Sequence, residues 1–398
     1  MITYRNYIFQ ILGRLLPQFF ALISQIYFFA GADVSDFSSF WLVIIVWGGV
    51  YSFLGSSVDT YFQKIHVGYE IKSAIFYKVS VWFILCIFVI PVLTLMDYEI
   101  STLILISISF LSQHIISLVL VYWRVVGKDI LTLFPKLLQS IVLVSLVIFY
   151  KPNDLKFFSL LYALSWVLPV LVAFYLVGKK NYMFSLKDSM GYFSIPKVKV
   201  LTVLGLSIFA TQVYANVDFI FLEMLSSNGE SAEYKFIILI ASSILPIVTA
   251  FAAIYYSKLS LIKTVSKVRL ISIQVLIISV LYLCFAIFVT YMLQYILQFF
   301  PNIGFQISYA MLLMLIIGYY FNSLASIFSF YLVKEGRNKE ILIISLFLIL
   351  FSILIAFLLI STYGLYGAYL SMMLINLFVF LMFFSFSLKS LCNRSKCL

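Results

Sequence analysis

Charge is what this sequence has least of. Only 10% of its 398 residues are Asp, Glu, Lys or Arg, whereas soluble domains carry about a quarter, so a water-soluble globule is excluded. Histidine is nearly missing, at 2 residues, and the 4 cysteines are scattered. Cys86 and Cys284 fall in apolar runs, Cys392 and Cys397 in a basic tail. Neither a disulfide framework nor a metal-ligand spacing emerges, and no metal site is expected. Phosphate-cradling glycine loops, a nucleophile elbow and paired carboxylates beside a cleft are also wanting. That argues against an ATP-driven pump and leaves no catalytic residue to assign, so the chain is not expected to be an enzyme. The longest stretch between apolar runs, 178 to 199, is too short to bury a core of its own.

What is present in abundance is apolar: 64% of the chain is hydrophobic and its mean hydropathy is +1.13. A bilayer core about 30 Å thick requires about 20 apolar residues per helix. Twelve such runs fall at 8–30, 37–58, 74–96, 101–123, 131–150, 157–177, 200–222, 236–257, 270–293, 306–332, 341–361 and 364–388. The fold class expected is an all-α integral membrane protein of about twelve transmembrane helices. The first run carries Arg14 and Pro17 with no small-residue cleavage site after it, and is expected to be retained as a helix and not removed as a signal peptide.

The net charge of +11 is explained by topology and not by nucleic acid, because cytoplasmic loops collect Lys and Arg. With the N-terminus inside, 23 of the 26 basic residues fall on the cytoplasmic side, and only Lys151, Lys156 and Lys235 fall outside. Outward loops are short and acidic or neutral, with Asp33 and Asp36, Asp97 and Glu99, and Glu230 and Glu233. Asp33 and Asp36 are expected to form a polar turn and helix cap. Both termini are expected in the cytoplasm, in a membrane of the bacterial inner type, with membrane lipids as partners.

An even helix number with a basic loop after the sixth run suggests two six-helix bundles. The boundaries expected are 1–178 for the first bundle, 179–199 for a basic cytoplasmic linker, 200–388 for the second bundle and 389–398 for a tail. One echo supports a repeat: Tyr122 to Lys128 and Tyr331 to Arg337 both read Tyr, four residues, Gly, then a base. Glycine with a base is also common in cytoplasmic turns. Two bundles of six run parallel, which places a pseudo-two-fold along the membrane normal and a central cavity between them.

Ionisable groups in lipid cost about 2.5–3.5 kcal/mol at a helix centre, so those that persist usually face a wet interior. Gln10, Arg14, Gln18 and Gln25 recur at helical spacing on the first span. This stripe lines the cavity, or Arg14, about 9 Å in from the helix start, snorkels to the headgroups. On the seventh span Ser207, Thr211, Tyr214 and Asp218 repeat on one face with Asn216 beside them. Asp218 is either an interfacial carboxylate or a coupling and gating group for a proton or sodium ion. The fourth span adds Gln113, Ser117 and Arg124 on one face, with His114 alongside as either hydrogen-bonded structure or a proton relay. Asp59, Lys64, Lys128 and Lys136 cluster at the inner loops after the second and fourth runs, where they meet anionic lipid or, for a few of them, an anionic headgroup at the cavity mouth.

Several stretches in order resemble the polysaccharide flippases, the repeat-unit or O-antigen transporters of the multidrug/oligosaccharidyl-lipid/polysaccharide exporter superfamily. They are Phe28 to Phe37 at the first turn, Ser56 to Asp59 after the second helix, Tyr122 to Lys128, Asn216 to Leu222 with Asn228, Gly229, Glu233 and Tyr234 following, and Tyr363 to Tyr369 leading into the last helix. The resemblance implies two bundles working by alternating access on an undecaprenyl-pyrophosphate-linked oligosaccharide. It implies Arg14 as the cation for the pyrophosphate; Gln10, Gln18, Gln25 and Gln113, by their amides, suit contacts to sugar hydroxyls, and Arg124 is read as a further cavity contact. Asp218, Asn216 and Asp59 follow as coupling or gating residues. No cofactor is implied beyond a coupling sodium ion or proton, and the protein partners implied are a polysaccharide polymerase and a chain-length regulator. A multidrug exporter of the same superfamily is the alternative, and a membrane polymerase or glycosyltransferase a more distant one.

Overall fold

A computed structural model describes residues 4–51, 71–125, 129–132, 134–177, 195–226, 229–245, 248, 264–299, 308–335 and 337–395. Among these there are helices and turns but no strand, the solution that lets every backbone group find its partner within its own segment in lipid. The helices are α1 (Tyr4–Gly31), α2 (Val34–Tyr51), α3 (Ile71–Thr94), α4 (Ile100–Val125), α5 (Phe134–Tyr150), α6 (Leu155–Val177), α7 (Ile195–Tyr214), α8 (Val217–Leu225), α9 (Glu230–Ser242), α10 (Thr264–Phe299), α11 (Tyr309–Lys334) and α12 (Asn338–Ser395). Seven of them are long and apolar enough to cross a bilayer, and the apolar stretch of α12, at 51 residues, is long enough to cross twice. The run expected at 236–257 begins in α9 and continues beyond the described residues.

Contacts divide the chain into two compact units, Met1–Gln212 and Val213–Leu398. Most of the expected linker, 179–194, lies outside the described residues, and the division falls after it, near the end of α7.

In the first unit the turns α1–α2, α3–α4 and α5–α6 meet on one face, as helices crossing alternately must arrange them. The backbone oxygen of Pro152 lies 3.3 Å from where a Cβ on Gly31 would stand. Leu155 N donates to Asp36 Oδ2 at 3.2 Å, and Lys156 Nζ donates to Glu99 Oε1 at 2.6 Å. Asp36 therefore caps a neighbouring helix, while α6 also receives its own cap from Asp154, whose Oδ1 accepts Phe157 N at 2.7 Å. Beneath these turns Phe28 stacks on Phe158 at 3.8 Å, with Phe40 edge-on to Phe158 at 4.9 Å. Three helices are thereby locked through buried rings, whose attraction in lipid is packing and not exclusion of water.

The second unit is built around α12, which reverses at Gly364. There φ is +55°, a left-handed geometry that suits glycine. Phe351 before the reversal stacks on Phe378 after it at 4.0 Å, so the two limbs form an antiparallel pair, the eleventh and twelfth runs of the sequence. At Gly367 a Cβ would sit 2.0 Å from Leu359 O, and the returning limb can pass only because that atom is missing.

Candidate functional site

The seventh run, expected as one straight helix over 200–222, is two helices, α7 and α8, bent by 45°. The break falls at Ala215 and Asn216. Asn216 leaves helical geometry with φ −131° and ψ 5°, and makes no side-chain cap bond to α8. Its Oδ1 instead accepts from Lys235 Nζ at 3.4 Å. Asn competes for backbone geometry in this way because its short amide offers local alternatives to the helix ladder. The expected stripe of Ser207, Thr211, Tyr214 and Asp218 is thereby cut. Ser207 and Thr211 give their hydroxyls to their own helix, at 2.9 Å in each case, and Asp218 belongs to a different helix.

Asp218 does not meet water at an interface: it is 3% exposed. Its Oδ1 accepts Phe219 N at 2.9 Å, and its Oδ2 accepts the Tyr234 hydroxyl. It stands in the first turn of α8, where the positive end of the helix favours a carboxylate. Tyr234 is fully buried, lies within 3.5 Å of Ala368 O, and meets the Tyr369 ring edge-on at 5.1 Å. The Tyr369 hydroxyl is itself buried with no hydrogen-bond partner among the described residues. Lys235, next in sequence, is 7% exposed and places Nζ 5.3 Å from the Phe219 ring centre as well as against Asn216. Two consecutive residues of α9 thus close over the start of α8.

Lys235, counted in the charge reading as one of three bases on the outside, is not exposed in a loop. It is enclosed by the site, and Lys156, the second exception, is ion-paired to Glu99. Lys78, counted among the cytoplasmic-side bases, is buried too. It is not at a loop surface but fully buried within α3, its Nζ donating to His114 O at 2.9 Å. The His114 ring stacks on Tyr51 at 4.0 Å, and Tyr51 in turn donates to Lys78 O at 3.2 Å. Tyr234, Lys235 and Lys78 are the residues that sequence reasoning did not single out for a site. The signal available for Lys235 was its breach of the charge asymmetry, beside a tyrosine in an otherwise acidic turn.

The expected cavity residues divide. Gln10, Arg14 and Arg124 lie on α1 and α4, with side chains outside the described residues, and Asp59 lies outside them altogether. Gln18 is exposed, Gln113 half-buried and Gln25 buried. Gln25 Oε1 has no hydrogen-bond partner among the described residues. Gln18 and Gln25 do not share one environment, although seven residues bring them to the same side of a helix. No cluster of three metal-ligating side chains occurs among the described residues.

No family model matches the chain, and no curated protein does. Solved structures do match along nearly the whole length. An outward-facing multidrug resistance MATE family transporter of the MOP superfamily aligns with a TM-score of 0.73 at 14% identity, covering 98% of this chain and 96% of the other. MATE in complex with MaD3S aligns with a TM-score of 0.74 at 14% identity over 98% and 96%. A MOP superfamily transporter from Pyrococcus furiosus, described as having a binding pocket of reverse polarity, aligns at 0.73 and 14% over 98% and 95%. The chain has the fold of the MATE transporters of the MOP superfamily.

Proposed function

We propose that this protein is a secondary transporter working by alternating access, and that its cargo is an anionic lipid-linked oligosaccharide, of the undecaprenyl-pyrophosphate type, moved across a bacterial inner membrane. The observation that supports transport is the agreement in fold with MATE transporters, which runs through 98% of the chain. For the cargo, the support is the balance of charge within the helices. Among the described residues Lys78 and Lys235 are buried, against one buried carboxylate, Asp218. A pyrophosphate is held by bases, and glycan hydroxyls need polar partners because an unmet group costs about 1–3 kcal/mol. Arg14 and Arg124 are the bases assigned to the headgroup, and Gln10, Gln18, Gln25 and Gln113 the amides assigned to the sugar. Asp218, Asn216 and Asp59 are assigned to gating.

Multidrug export is the second reading, favoured by the likeness to a transporter that is itself described as a multidrug resistance protein. Expression in two bacterial strains separates the two. In a strain lacking its own flippase, regained surface polysaccharide supports the lipid-linked cargo. In a strain stripped of drug pumps, raised resistance to cationic drugs without any regain of polysaccharide would assign the exporter instead.

A further inference from the structure

Within the first unit, α2, α3 and α4 meet at His114, which stands near the middle of α4. Its backbone oxygen accepts from the fully buried Lys78 ammonium of α3 at 2.9 Å. Its ring lies against Tyr51 of α2, with centroids 4.0 Å apart and planes at 25°, and the Tyr51 hydroxyl returns to Lys78 O at 3.2 Å. Phe110, one turn earlier on α4, stacks from further off at 6.2 Å. The imidazole is thus fixed through its backbone and its faces, and its edge is left over. The residue is half-buried, and among the described residues no hydrogen bond reaches either ring nitrogen. A polar edge turned to lipid is costly, and ionisable side chains within spans almost always face the bundle interior or a wet cavity. Substrate sites of secondary transporters lie near the bilayer midplane, the depth of the middle of a spanning helix.

We propose that the His114 imidazole is a cargo-binding subsite of the first unit, one that takes a sugar hydroxyl or acetamido group and not the pyrophosphate. The inference rests on the lipid-linked oligosaccharide reading and deepens it, adding a glycan contact on α4. A neutral imidazole, the main form above about pH 6.5, carries one donor and one acceptor, the pair that a hydroxyl offers in return. A pyrophosphate calls for cations, and the Lys78 ammonium gives a hydrogen bond to the backbone oxygen of His114. Because stacking fixes the ring plane, the direction of the edge nitrogens is set before cargo arrives, which lowers the ordering cost of binding.

The test uses the full chain purified in detergent, with undecaprenyl pyrophosphate carrying N-acetylglucosamine as the probe and undecaprenyl pyrophosphate as the sugar-free control. His114→Phe keeps the stack on Tyr51 and removes both nitrogens. It is expected to melt close to the wild type and to bind the control as the wild type does. It should bind the sugar-bearing lipid about 2–10-fold more weakly, the loss that one hydrogen bond entails. His114→Gln, which keeps a donor and an acceptor, should recover part of the difference. Equal affinity of wild type and His114→Phe for the sugar-bearing lipid would overturn the proposal, as would an equal loss for both lipids, which would place the ring at the pyrophosphate. If His114→Phe does not fold, modification of the ring by diethyl pyrocarbonate decides, in a His66→Gln background that leaves His114 as the sole histidine. Sugar-bearing lipid at about ten times its Kd should slow that modification about tenfold, and the control should not. A ring that the reagent never reaches, or that the two lipids protect to the same extent, refutes the subsite. A wild type that binds both lipids with no part played by His114 ends this inference alone, whereas a wild type that binds neither ends the lipid-linked cargo reading and this subsite with it.

Discussion

Tyr234 gives its hydroxyl hydrogen bond to the Asp218 carboxylate sixteen residues earlier in the chain, and both side chains are buried. This one contact fastens α8 to α9 at the broken part of the seventh span. Removing the hydroxyl with Tyr234→Phe strips a donor from an enclosed carboxylate, which costs about 1–3 kcal/mol. A fall in the thermal midpoint of the purified protein is the expected result. In the Asp218→Asn background the same substitution should cost less, because the acceptor no longer carries a full charge.

Two glycines of the second unit, Gly318 on α11 and Gly367 on α12, should differ in tolerance. Gly367→Ala drives a Cβ into the backbone of Leu359 at 2.0 Å, whereas Gly318→Ala meets chiefly the Met372 sulfur at 2.7 Å, the far part of a flexible side chain. Overpacking of the second kind costs about 1–3 kcal/mol. Gly367→Ala should exceed that range and lower the yield of folded protein, as measured by monodispersity on size-exclusion chromatography.

Phe28 is fully buried against Phe158 at 3.8 Å, while Phe83 is exposed on α3. Phe28→Ala should cost about 3–5 kcal/mol and Phe83→Ala less than about 0.5 kcal/mol. Equal shifts in thermal midpoint for the two variants would contradict the packing described for the first unit.

Glu99 offers a pH dependence outside the membrane. The Lys156 hydrogen bond holds its carboxyl below the usual glutamate value. A depressed folded value means that the pair stabilises above the ordinary glutamate range and that the contribution is lost as pH falls through the folded value. Both partners are more than half exposed, so the effect is small and screened by salt. Lys156→Met should flatten the acid limb of the stability curve below pH about 4.5 in low salt, and should make no difference in about 1 M salt.

Under the proposed lipid-linked cargo, Arg14→Ala is expected to abolish transport while leaving membrane levels unchanged. Arg14→Lys should retain part of it if charge alone matters. Restored surface polysaccharide in the flippase-deficient strain is the measurement, and full activity of Arg14→Ala removes the residue from the cargo site.

Most of the helix positions were legible from hydropathy because length in lipid is a one-dimensional signal. The run read at 101–123 is α4, Ile100–Val125, and the run read at 157–177 is α6, Leu155–Val177. The reversal near Tyr363 to Tyr369 was legible too, since glycine marks a turn whatever surrounds it. The break at Asn216 was not. Helical spacing places residues on a shared face only while the helix stays straight, so one non-helical residue carried Asp218 off the expected stripe. The burial of Lys78 and Lys235 was not legible, for a related reason. The charge asymmetry of loops sorts bases by side of the membrane, but it does not tell a base in a turn from one folded inward a few residues further along.

The reversal in α12 bears on how the polypeptide gets into lipid. Its turn, Ser361 to Gly364, carries no charge, and its limbs are already matched, ring on ring, at Phe351 and Phe378. Nothing at the tip must be stripped of tightly held hydration. The pair is therefore suited to partition from the insertion machinery as a preassembled hairpin, with Gly367 setting how closely its two arms can lie.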